Sequence, residues 1–157
     1  MHINEQLKET WRINHQINLM ILDNITEECL DFTLSPRGGG KIGHQFAHLY
    51  NVRFWKLEKM NKAAIAELET VKSKDEKTIP MLKNLLNTTH DLIATEIEKS
   101  IENDFKVKGF KRGLVPMLGY FTAHEAQHRG NILLVLKQKG FKLPKELKYG
   151  IWEWNKI

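Results

Sequence analysis

The sequence predicts an all-α fold, a four-helix bundle. Apolar residues recur three and four apart over four long segments, strand-like alternation is essentially absent, and prolines and glycine clusters mark the borders between segments. Four long helices with short connections bury their apolar stripes most simply against one another. At 157 residues the chain has the size of a single domain, 1–157, large enough to bury a core without staples.

The first helix is predicted over roughly residues 3–28, with Ile3, Leu7, Trp11, Ile17, Ile21 and Ile25 at helical spacing. DFTLSPRGGG (31–40) breaks it and reads as a flexible connector; its GGGK lacks the spacing and the Ser/Thr of a phosphate loop. The second helix covers about 41–60, with room to continue past Lys72. Ile42, Phe46, Leu49, Leu57 and Met60 form its apolar face, and His44, His48, Val52 and Trp55 an adjacent stripe. Thr78 is placed to cap a third helix that has Pro80 in its first turn and runs to about Asn103. Pro116 opens the fourth helix and Gly140 ends it. That helix is apolar on nearly every side, which predicts that it is the most buried.

Composition excludes several classes. Hydrophobic residues make up 41% and charged residues 27%, ordinary for a globular protein. The lone Cys29 offers neither a disulfide nor a thiolate metal site and reads as a small apolar filler. No stretch reaches the ~20 apolar residues of a membrane span, and the N-terminus lacks a signal-peptide core, so a soluble, cytoplasmic protein is expected. The net charge of +5 raises nucleic acid as a partner. The lysines at 137, 139, 142, 145 and 148, however, come without aromatic stacking residues and read as a solvated face. No nucleic acid and no membrane are therefore expected as partners.

Chemistry concentrates in the histidines. His2, His15 and His90 read as exposed or hydrogen-bonded positions. His124 and His128 lie four apart in AHEAQHRG, on one helical face, where both imidazoles reach one metal ion. They continue the stepping Met117, Phe121, His124, His128, Ile132, Val135, which predicts that they interrupt a buried stripe. His44 and His48 repeat the spacing on the second helix. Neutral imidazoles suit Zn, Ni, Cu or Fe, and three of them with an open position leave the ion free to activate a water, a thiol or a carbonyl.

The same stretch contains His-Glu-x-x-His, the zinc-protease pattern. The extended protease motif would need Gly and His at 131 and 134, where this chain has Asn131 and Leu134. Glu125 and Arg129 are, besides, an i, i+4 acid-to-base pair in the favourable orientation. A metalloprotease is the third reading, behind a metal-dependent enzyme and a non-catalytic metal-binding or interaction module.

HEAQHRGNILLVLKQKGFKLP resembles the last helix of the DinB/YfiT-like family of metal-binding four-helix bundles. GHQFAHLYNVRFW resembles the family's second helix, and YGIWEWNKI the aromatic tail of one subgroup. The resemblance implies His48, His124 and His128 as the metal ligands, with His44 a neighbour one turn away. Asn131 stands where the family has Gln, and Gly130 is expected to permit close helix approach. Arg129 has two readings, a buried ion pair of the family kind or a surface pair with Glu125. The resemblance further implies a divalent ion, zinc or nickel, and a small-molecule substrate. Members with known chemistry use a low-molecular-weight thiol in S-transfer or isomerisation, often as homodimers. Trp152 and Trp154 serve either to pack the tail or to form such an interface.

Overall fold

The computed structural model describes residues 1–35, 37 and 40–157. Pro36, Gly38 and Gly39, the centre of the expected connector, lie outside the described residues. Helix α1, Ile3–Asp23, begins where the Glu5 carboxylate accepts the His2 N–H at 3.1 Å. It ends five residues earlier than the periodicity suggests. Asn24 donates its side-chain amide back to the Met20 carbonyl, and Glu27–Asp31 forms a separate 3₁₀ turn that buries Cys29 and Leu30. Cys29 is thus the apolar filler expected of it.

Helix α2, Ile42–Met60, stops at Asn61, whose φ of −153° turns the chain out of helical geometry. The Asn61 amide is held by Glu96 of the third long helix. The chain continues only as a short 3₁₀ turn, Lys62–Ile65, and not as α-helix towards Lys72. The segment that follows is laced onto α2 instead: Asn51 exchanges two hydrogen bonds with the Val71 backbone, and the Tyr50 hydroxyl donates to the Glu69 carbonyl.

Helix α3, Ile79–Glu102, has Thr78 as its N-cap, the side-chain oxygen accepting the Met81 N–H at 3.3 Å, with Pro80 in the first turn. The Glu27 carboxylate also accepts from Ile79 N–H, an anion at the positive end of the helix. Helix α4, Leu114–Gln138, ends in a Schellman turn. Gly140 has φ +79°, Phe141 N–H reaches the Leu136 carbonyl, and Gly140 N–H reaches that of Lys137. A short helix, α5 (Lys145–Lys148), and a 3₁₀ turn at Gly150–Trp152 complete the chain.

The chain is all-helical, without a named strand among the described residues. Helix α1 packs on α3 and α4, and α2 packs on the same two. The buried stripes read Leu7, Trp11, Asn14, Asn18, Ile21 on α1 and Ile42, Phe46, Leu49, Arg53, Leu57, Met60 on α2. They continue as Leu82, Leu86, Thr89, Ile93, Ile97 on α3 and Leu118, Phe121, Glu125, Arg129, Ile132, Leu136 on α4. Each stripe carries polar residues at mid-height. The interior is therefore two apolar clusters, one around Phe46 and one around Phe121, with a polar layer between them.

Helix α4 is not buried all round, since Val115, Tyr120 and Leu134 are exposed. The tail docks through buried Leu147 and Ile151, whereas Trp152 is 77% and Trp154 40% exposed. The five lysines of the basic segment are all exposed, as a solvated face requires. No helix among the described residues is long and apolar enough to cross a membrane.

Gly130 departs from expectation. A Cβ there would meet nothing within 4 Å, so no close helix approach requires the glycine. Gly130→Ala should then gain the helix propensity of alanine, about 0.5–1 kcal/mol in urea unfolding. A loss of stability would show that the position is crowded.

Candidate metal centre

The rotation of α4 decides which letters of His-Glu-x-x-His-Arg face where. Successive residues step 100° around a helix, so inward-pointing Glu125 and Arg129 push His124 and His128 to the side of the stripe. Both histidines are half-buried and face α2, whereas Glu125 is 1% exposed. The buried stripe of α4 thus runs through the glutamate and the arginine, not through the histidines as their spacing suggested.

Glu125 is fully engaged. Arg53 grips both its oxygens, at 2.7 and 2.9 Å, and the amides of Asn14 and Asn18 donate to Oε2 at 2.8 and 2.7 Å. Arg129 stands 3.7 Å from the same oxygen and donates to Asn14 and Asn18. The i, i+4 pair therefore exists, but as a buried one secondary to Arg53. Burial alone would raise the Glu125 carboxyl; Arg53, Asn18 and Arg129 outweigh it and hold the carboxyl below its ordinary range. Burial pushes Arg129 down to about 10, which still leaves it charged at neutral pH. Two guanidinium groups against one carboxylate leave the layer with a net positive charge. A carboxylate held this way, facing away from the histidines, cannot serve as the general base of a metalloprotease.

The layer extends to two histidines that the sequence did not flag. His15 lies between Arg53, which donates to Nδ1 at 3.3 Å, and the Asn87 side-chain oxygen Oδ1, 2.9 Å from Nε2. The proton therefore sits on Nε2. His90 stacks on His15 with ring centroids 4.1 Å apart, and Trp11 stacks on His90. Burial, reinforced by the Arg53 charge, pushes His15 down to about 3 and His90 to about 4.

On the outer side, His48 from α2 meets His124 and His128 from α4. Their candidate ligand nitrogens all lie within 4.8 Å of one another, and ring centroids are 4.8–5.3 Å apart. His48 Nε2 and His124 Nε2 are 3.3 Å apart. Two nitrogens bound tetrahedrally to zinc at 2.0–2.1 Å stand about 3.3–3.4 Å from each other, so the pair fits an ion without rearrangement. A hydrogen bond would join only two of the three rings. His128 Nδ1 faces Gln45 Oε1 at 3.4 Å, which leaves its Nε2 for the common centre. Burial lowers all three imidazoles below their ordinary value, His128 to about 4 with help from the charges of the other two; at neutral pH all are neutral, the form that binds metal.

Aromatic rings brace the cluster. Tyr120 stacks on His124 at an interplanar angle of 10°, and Trp55 meets His48 edge-on. His44 lies one turn from His48 and lines the adjoining cavity without joining the cluster. The amide that faces His128 is Gln45 of α2; Asn131 makes no side-chain hydrogen bond among the described residues. Gln45, Arg53, Asn14 and Asn18 escaped the sequence reading. Their signal was polar residues standing at core positions among the apolar residues of α1 and α2.

Compared with family models, with curated proteins and with solved structures, the chain finds no match.

Two outcomes follow from the polar layer. Glu125→Gln leaves the buried Arg53 without its counter-charge and should cost about 3–5 kcal/mol in urea unfolding. His15 adds a pH dependence. Its folded value of about 3 lies below the ordinary 6.5, so the unfolded chain takes up a proton that the folded one refuses. Its contribution is complete above pH ~6.5 and declines as pH falls towards ~3, by about 2 kcal/mol between pH 7 and 5. Urea titrations at both pH values measure the drop, which His15→Gln should reduce.

Proposed function

We propose that the chain is a metal-dependent protein of the DinB/YfiT-like kind, its four long helices forming that family's bundle. In this reading His48, His124 and His128 hold one divalent ion, zinc or nickel. The observation that carries it is the convergence of three neutral imidazoles from two helices on one point, with two nitrogens at a metal-binding separation. Such an ion, when bound, supplies Lewis-acid activation of a water, a thiol or a carbonyl.

The chain's own residues prepare the site. Gln45 orients His128, and Tyr120 fixes the plane of the His124 ring. Arg53 and the two asparagines keep Glu125 turned inward, so it does not compete for the open position. Three ligands on a half-exposed surface favour an exchangeable position over a purely structural ion, which ordinarily has four protein ligands and a closed shell. The substrate is then a small molecule, and a low-molecular-weight thiol is the cosubstrate that the sequence resemblance implies. The same resemblance implies a homodimer.

Metal analysis of the purified chain tests the site. One equivalent of zinc or nickel is expected in the wild type, and almost none in His124→Ala/His128→Ala, which keeps the buried layer intact. Stoichiometric metal in that double variant would overturn the assignment. A cobalt-substituted sample tests the open position, because added 2-mercaptoethanol should change its visible spectrum.

A further inference from the structure

The charge around the three histidines points to the class of substrate, an inference that rests on the metal reading above. The carboxylate next to His124 in the chain, Glu125, is buried. It faces the polar layer, where Arg53 and Arg129 outweigh it. Neutral imidazoles leave a bound divalent ion its full charge. The centre is thus positive in front and positive behind.

The flanks add to this. Beside His48, a cavity of about 190 Å³ lies between α2 and residues 71–77; it is lined by His44, Asn51, Ser73, Lys72 and Lys77 and by no carboxylate. The Lys77 ammonium donates to the carbonyls of Lys72, Ser73 and Asp75, which fixes its charge in the wall. On the other flank the Lys56 ammonium sits 4.4 Å from the centre of the Tyr120 ring, the same ring that stacks on His124. Neither Lys56 nor Lys72 forms a salt bridge with a carboxylate among the described residues. The Asp75 carboxylate, which accepts the Lys72 N–H, offsets part of the Lys77 charge, and the remaining positive charges concentrate an opposite charge between them.

We propose that the centre takes a small organic anion, its negative group drawn to the cavity beside His48 and to the open side of the metal by Lys72, Lys77 and Lys56. The cavity is smaller than the roughly 300–1,000 Å³ of drug-sized sites, so the anion is of metabolite size.

Cobalt uptake by the full chain is measured first, and the loaded protein is then titrated with benzoate and with benzamide, alike in shape and different in charge. The visible spectrum of the cobalt and titration calorimetry report binding. Benzoate is expected to bind at least tenfold more tightly than benzamide. Its affinity should fall several-fold in Lys56→Gln/Lys72→Gln, recover in Lys56→Arg/Lys72→Arg, and weaken with added salt. Equal affinity for the two probes, or a benzoate affinity that the glutamine variant leaves unchanged, overturns the inference while cobalt binding upholds the metal reading. A protein that takes up no cobalt overturns both.

Discussion

The ion pair between Arg53 and Glu125 joins α2 to α4 at mid-height and fixes how α4 is turned. Both groups are removed from water, so each is stable there only while the other is present. Asn14 and Asn18 bring α1 into the same cluster, and the Arg53 bond to the Leu86 carbonyl, with the His15 contact to Asn87, brings in α3. Sliding or rotating any one of the four helices would break several of these contacts at once. The apolar clusters above and below tolerate small shifts far better, because dispersion contacts are not directional. The polar layer therefore specifies register, and the two clusters supply most of the burial.

The three-histidine cluster is a consequence of that register. His124 is the residue next to Glu125, and His128 precedes Arg129. With the acid and the base locked inward, the imidazoles emerge on the flank of α4 that faces α2, where His48 stands. A centre built this way needs no strained backbone, because its precision comes from two rigid helices. The surplus guanidinium charge of the polar layer lies just beneath it.

Much of this was legible in the sequence. Apolar stepping located the four long helices, and Thr78, Pro80, Pro116 and Gly140 marked their borders by local chemistry alone. The three histidines converge as the family resemblance implied. The failures share one cause, which is that tertiary partners decided them. Asn61 ends α2 with its amide on Glu96, 35 residues away. Glu125 offered a local explanation in Arg129 and a motif explanation in the protease pattern, whereas its main partner, Arg53, lies 72 residues away. Spacing alone put His124 and His128 on the buried stripe. The four interrupted stripes read together give the correct rotation, because only Glu125 and Arg129 continue the inner row of Leu118, Phe121, Ile132 and Leu136.

X-ray absorption at the zinc edge of the metal-loaded chain tests the central claim most directly, since it reads the ion's ligands without reference to activity. Three imidazole nitrogens at about 2.0–2.1 Å are expected, with the multiple-scattering pattern of histidine rings, and one further exchangeable light-atom ligand. A shell of water and carboxylate oxygens with no imidazole scattering would contradict the claim.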